Sequence, residues 1–180
     1  MNNQRLLHEI GNTAGLLFVC IVLAVIFIEQ LVYHDLPCPL CLLQRVCFIG
    51  IGLCFLLNLH LGIRPAHYGF MILVTFLGLA IAVRQITLHL APDDPGYGIP
   101  FLGIYLYVWS AIAYGIILIL TAVALTFDKG FARNMKFNNR GIKVLTAIFL
   151  LLILANAISA FIECGPHICP DNPVRYQLLS

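Results

Sequence analysis

Five nearly uncharged stretches of about 20 residues dominate this 180-residue sequence, and that is the length an α-helix needs to cross the hydrocarbon of a bilayer. They run from Thr13 to Tyr33, Leu42 to Leu61, Tyr68 to Leu90, Phe101 to Phe127 and Val144 to Ile162. Only Glu29 and Gln30 interrupt the first. Gln44 and Arg45 sit in the first turn of the second, Arg84 lies near the end of the third, and the last two carry no charge. Charged residues make up 10% of the chain and hydrophobic ones 61%. Soluble domains carry about 25% charged residues, so this chain cannot cover its apolar side chains with a polar surface. The expected fold class is an all-α membrane protein, a transmembrane helical bundle. A soluble enzyme, a coiled coil, collagen and a disordered chain are excluded, and a net charge of +2 leaves no basic face for nucleic acid. The first stretch is too long for a signal peptide and has no small-residue cleavage site before Glu29, so it is expected to remain as a span.

Five crossings put the N-terminus, the connection at Arg64 and the segment Asp128–Lys143 on one side. That side collects Arg5, Arg64, Lys129, Arg133, Lys136, Arg140 and Lys143, seven of the ten Lys and Arg residues. Arg45, Arg84 and Arg175 go to the other side with Glu29, Asp35, Asp93, Asp94, Glu163 and Asp171. Positive residues concentrate on the cytoplasmic side, so the N-terminus is expected inside and the C-terminus outside.

That orientation sorts the seven cysteines. Cys20, Cys47 and Cys54 fall within spans, where a thiol packs as a small hydrophobe. Cys38 and Cys41 follow the first span, and Cys164 and Cys169 follow the fifth, so both pairs are expected on the same outer face. In bacteria that compartment is oxidising and disulfides persist there.

The densest signal is Leu36-Pro37-Cys38-Pro39-Leu40-Cys41-Leu42-Leu43-Gln44-Arg45. Cys38 reads as a helix cap with Pro39 at the favoured first helical position. Cys41 then falls in the first turn, where free backbone N–H groups and the helix dipole favour a thiolate. Arg45, four residues on, shares that face one turn deeper. A guanidinium there needs a partner, and a thiolate or the carbonyl oxygen of a lipid-soluble quinone would supply one; the bland alternative is that Arg45 reaches up to the headgroups. A c-type haem would require His after the second cysteine, where Leu42 stands. Four thiolates from Cys38, Cys41, Cys164 and Cys169 would suit tetrahedral zinc, but the last two are spaced loosely for a zinc knuckle and the face is oxidising; no metal is expected.

With Cys38-Pro39-Leu40-Cys41 opening the second span, Arg45 following, Val83-Arg84-Gln85 near the end of the third, and Asp93–Gly98 leading to Leu102–Trp109, the chain resembles the disulfide bond formation protein B (DsbB) family of bacterial inner-membrane thiol oxidases. The resemblance covers about residues 10–127. It implies electron transfer from a periplasmic thioredoxin-fold thiol oxidase resembling DsbA to ubiquinone or menaquinone in the lipid. By motif, Cys38 and Cys41 would be the redox pair. Cys41 would contact the quinone ring, Arg45 would polarise a quinone oxygen, and Cys38 would be open to attack by another thiol. Gln44, Arg84 and His89 are further candidates near the quinone head, although Arg84 and His89 also read as interfacial anchors. The implied organisation is a DsbB-like four-helix core at 1–127, a basic cytoplasmic loop at 128–143, and a fifth transmembrane helix with a cysteine-bearing tail at 144–180.

One departure matters. Family members carry a second cysteine pair in the outer loop between helices three and four, but Ala91–Pro100 has none. Three readings of Cys164 and Cys169 stay open: a relay that replaces the missing pair, a structural disulfide that staples the tail, or a bystander to direct attack on Cys38. Two rival functions are also set against the oxidase. A reductase like vitamin K epoxide reductase places its CxxC late in the bundle, whereas here it follows the first helix. A non-enzymatic membrane protein such as a small transporter would show polar midplane segments, whereas polar residues here gather at the outer end.

Overall fold

The computed structural model describes residues 3–33, 36–91, 93–127, 139–166, 169–170, 173 and 175–178. Asp35, Lys129, Arg133, Lys136 and Asp171 of the charge count, and the expected basic loop up to residue 138, lie outside the described residues. Among those residues the structure is all-helical: α1 (Asn3–Val32), α2 (Pro39–Leu61), α3 (Pro65–Leu88), α4 (Leu106–Phe127) and α5 (Arg140–Cys164). Each is long and apolar enough to cross a membrane. The protein is therefore a multi-pass helical membrane bundle.

The central helix is α2, which packs against α1, α3 and α5; α4 packs mainly on α3, and α5 mainly on α1. As a result α1 and α4 flank one face of α2 with almost no contact between them. Between helices there is no hydrophobic driving force in lipid, so close packing must hold them, and small residues mark the crossings. Gly52 of α2 lies against the ring of Phe149 in α5, and Gly78 of α3 against the ring of Tyr114 in α4, each leaving no room for a Cβ. Tyr114 stacks on Phe48 with ring centroids 4.4 Å apart, and its hydroxyl donates to the Gln44 carbonyl at 2.7 Å. Leu16, Val19, Leu23, Ile51 and Met71 complete the buried core, together with Cys20, Cys47 and Cys54, which pack as expected.

The first three helices start before the hydropathy reading, at Asn3, Pro39 and Pro65 instead of Thr13, Leu42 and Tyr68, and the other two starts have a local cause. The fourth helix starts at Leu106, not Phe101, because Phe101 and Ile104 exchange backbone hydrogen bonds of 2.9 and 3.1 Å across a tight turn. Leu102 and Gly103 take φ of 53° and 78° there, a left-handed pair that no right-handed helix contains. The fifth helix starts earlier, at Arg140, because Asn139 caps it by accepting from the Ile142 N–H at 2.8 Å.

Candidate functional site

The helix that begins at Pro39 is capped by Cys38, whose sulfur accepts from the Cys41 backbone N–H at 3.2 Å. This local geometry sets the two side chains together: the sulfurs stand 2.8 Å apart, both as free thiols. A disulfide bond is about 2.05 Å long, so the pair is poised to close with little movement. The Cys38 thiol is pushed well above its ordinary range, first by its hydrogen bond with the Cys41 sulfur and then by burial. Cys41 stands in the first turn, where the helix dipole and free backbone N–H groups favour negative charge on its sulfur.

Gln85 of α3 joins the pair. Its Nε2 donates to Cys41 Sγ at 3.2 Å and to Cys38 Sγ at 3.4 Å, while its Oε1 accepts from Gln44 Nε2 at 2.7 Å. Gln44 thereby fixes the amide with its nitrogen toward the sulfurs. Both glutamines are buried.

The two sulfurs open in different directions. Cys41 lines a cleft in the gap between α1 and α4, together with Glu29, Gln30, Gln44, Arg45, Tyr107 and Ser110, and with the apolar side chains of Ile26, Ile99 and Leu106. Cys38 lines a second, wider groove of about 620 Å³, formed by Pro39, Leu40, Gln85, Leu88, His89 and the turn Asp94–Tyr97. Tyr97 borders both, and its hydroxyl donates to the Leu36 carbonyl, tying the turn to the cysteine segment.

Arg45 does not reach up to the surface. It is 5% exposed, and its Nη1 donates to Gln30 Oε1 at 2.8 Å and to Asn156 Oδ1 at 3.4 Å. Its Nε has no hydrogen-bond partner among the described residues. The cleft encloses about 60 Å³, room for a carbonyl group and not for a whole ring, and Arg45 and Cys41 in its wall have the donor and thiol chemistry to meet one.

The remaining sequence candidates fall elsewhere. Arg84 is exposed and lines neither opening, because one residue along a helix is a turn of about 100° and Gln85 takes the inward position. His89 belongs to the Cys38 groove rather than the Arg45 cleft. Its Nδ1 lies 2.9 Å from Asp94 Oδ1, and its ring stacks on Tyr107 at 5.5 Å. Asp94 also accepts from the Gly96 N–H at 2.7 Å, and its carboxyl is held below the usual carboxylate range by His89 first and then by that N–H. Cys164 and Cys169 are joined as a disulfide, which takes both sulfurs out of any four-thiolate metal set. Beyond them the chain returns to α5: the Gln177 and Leu178 N–H groups donate to the Glu163 and Ile162 carbonyls. The sequence reading passed over Gln85, Gln30, Asn156 and Glu163 as site residues. The available signal was that each is a polar side chain in or beside an otherwise apolar span.

Residues 10–98 match the family described as disulfide bond formation protein DsbB. Relatives called disulfide bond formation protein B occur in Chromohalobacter salexigens, 31% identical over 57% of this chain and 65% of that protein, and in Marinobacter nauticus, 45% identical over 44% of this chain and 51% of that protein. A third, from Stutzerimonas stutzeri, is 42% identical over 32% of this chain and 38% of that protein. The similarity thus spans less than two thirds of each of these relatives. No solved structure matches the chain.

Proposed function

We propose, on the premise that this chain belongs to the DsbB family of disulfide bond formation proteins, that it is a thiol oxidase passing electrons from a DsbA-like dithiol protein to membrane quinone. The observation that carries the reading is the two-sided pair: Cys38 on one opening and Cys41 on another, with Arg45 deep in the second. In this reading both openings face the periplasm side of an inner membrane and the N-terminus is cytoplasmic, in keeping with the positive-inside count.

The chemistry starts from the oxidised Cys38–Cys41 pair. A partner thiolate enters the groove and attacks Cys38 Sγ, so that the Cys38–Cys41 bond breaks and Cys41 leaves as a thiolate. The helix N-terminus and Gln85 Nε2 stabilise that leaving group. The partner's second thiol then gives up its proton and attacks the partner's own sulfur in the mixed disulfide; the bond to Cys38 breaks, and Cys38 leaves as a thiolate that takes up that proton. Gln44 keeps Gln85 oriented throughout. At the cleft, Arg45, Tyr107 and Ser110 would hold the quinone head, with the Arg45 guanidinium the donor for a carbonyl oxygen and Ile26, Ile99 and Leu106 the apolar lining. When bound, the quinone supplies the two-electron oxidant that restores the disulfide; the protein supplies position and electrostatics. Whether the quinone is ubiquinone or menaquinone does not affect this assignment of roles.

A second reading gives the first exchange to Cys164–Cys169, which is already a disulfide at the same end of the bundle. Full-rate oxidation of the partner by a Cys164→Ser, Cys169→Ser double variant rules that reading out. The main test mixes purified protein, a ubiquinone analogue and a reduced thioredoxin-fold substrate, and follows quinone absorbance for wild type and Cys41→Ser. Consumption by wild type alone is the expected result. Absence of consumption by both, with Cys38 and Cys41 stably bonded, would leave a structural pair and a non-enzymatic membrane protein.

A further inference from the structure

The family match ends at residue 98, yet the cation of the cleft is anchored from α5. Arg45 Nη1 reaches Asn156 Oδ1 at 3.4 Å, and the Asn156 amide is itself aimed, because its Nδ2 donates to the Leu152 carbonyl at 2.9 Å. The other anchor, Gln30, is held from α5 as well. Its Oε1 accepts from Arg45, while its Nε2 donates to Glu163 Oε2 at 3.3 Å and lies 3.5 Å from the Tyr176 hydroxyl. Glu163 is fully buried, and its Oε1 has no partner among the described residues. The amide of Gln30 therefore sits between a buried guanidinium and a buried carboxylate near enough for their charges to act on one another. Glu163 directly precedes Cys164, and the returning Gln177 N–H is bonded to the Glu163 carbonyl, so disulfide and tail fix the carboxylate-bearing turn.

We infer that α5 is part of the electron-acceptor site: Asn156 and Glu163 are positioning residues that hold Arg45, directly and through Gln30, in the wall of the cleft that Cys41 also lines. The inference rests on the quinone reading above. A bundle that merely needed to neutralise a buried arginine would be served by one carboxylate paired to it. Instead one nitrogen is held by two amide oxygens, and Nε is left without a partner among the described residues. Asn156 holds Nη1 directly, and Glu163 holds the Gln30 amide that accepts from the same nitrogen.

The test is direct binding of a short-chain ubiquinone analogue to the full-length protein by equilibrium dialysis, followed by KM for that analogue and for a reduced thiol substrate. Asn156→Leu and Glu163→Leu each remove an acceptor, and each is expected to weaken analogue binding about tenfold, the scale of one hydrogen bond to a charged group. Asn156→Asp and Glu163→Gln keep an acceptor oxygen in place and are expected to restore binding to within about twofold. KM for the thiol substrate is expected to stay unchanged. Should a leucine variant fail to fold, Asn156→Ala makes the same deletion with a smaller change. Wild-type affinity in the apolar variants, equal losses in apolar and conservative variants, or a parallel rise of both KM values would overturn the positioning role while leaving the oxidase standing. A wild type that neither binds nor reduces the analogue would overturn the oxidase and this inference together.

Discussion

Both ends of the bundle bury a cluster of amides, and the two clusters differ in what they leave over. Away from the cysteines, Asn58 donates to Asn12 Oδ1 at 2.9 Å, its Oδ1 meets His67 Nδ1 at 2.8 Å, and Asn12 Nδ2 donates to the His8 carbonyl at 2.8 Å. These bonds tie α1, α2 and α3 to one another; nearby, among the described residues, the Thr13 hydroxyl is buried without a partner. At the cysteine end, Gln30, Gln44, Gln85 and Asn156 are spent on sulfurs and a guanidinium, and Arg45 Nε and Glu163 Oε1 remain unpaired. A buried polar group left unpartnered is costly, and on the proposed reading that cost is kept where Arg45 lines the cleft. A cluster whose bonds tie helices to one another is arranged for stability.

The comparison breaks most decisively at the sulfur itself. Cys41→Ser is expected to abolish quinone consumption while leaving the bundle folded, checked by circular dichroism beside the absorbance assay. Arg45→Met comes next. It removes the free donor and is expected to weaken analogue binding roughly 10–100-fold, the range for a hydrogen bond to a charged group. Gln85→Leu should lower turnover about tenfold with little change in analogue affinity, because it strips a donor from the leaving sulfur but not from the cleft. Stopped-flow mixing with the thiol substrate separates these two effects. At the other end the expectation reverses: Asn58→Leu should destabilise the protein by about 1–2 kcal/mol and leave turnover per folded molecule unchanged. A loss of turnover in the folded Asn58→Leu protein would erase the distinction between the two ends.

The smallest expected effect concerns pH at the groove. Because the folded carboxyl of Asp94 is held below its ordinary value, its contacts stabilise the turn at pH above about 4 and are lost as pH falls through the folded value. Trp109, the sole tryptophan, donates to the Phe101 carbonyl at 3.1 Å and reports on this connection. Its fluorescence should be flat from pH 7 to 5 and change below about 4, with Asp94→Asn lacking that transition.

The five spans were legible because hydropathy over 20 residues leaves few alternatives in lipid. The start of α4 was not, since Phe101–Tyr105 is as apolar as a helix and only the backbone at Leu102 and Gly103 betrays the turn. Cys38, Cys41 and Arg45 could be placed together because caps and i, i+4 spacing act within one helix. Gln85, Gln30, Asn156 and Glu163 come from three other helices, and no local rule brings them to Arg45. The choice of Arg84 over Gln85 shows the same limit on a finer scale: charge drew attention to the residue that helix phase turns outward.

The lack of packing between α1 and α4 sets how the acceptor is counted. On the proposed reading, a long-chain quinone reaching Cys41 through that gap arrives by two-dimensional diffusion in the lipid, whereas a short-chain analogue equilibrates through water. The effective dose of the long-chain quinone is a mole fraction of the leaflet. Diluting proteoliposomes with inert phospholipid at fixed total quinone should therefore slow turnover as bulk molarity stays constant, and a stiffer acyl phase should slow it again.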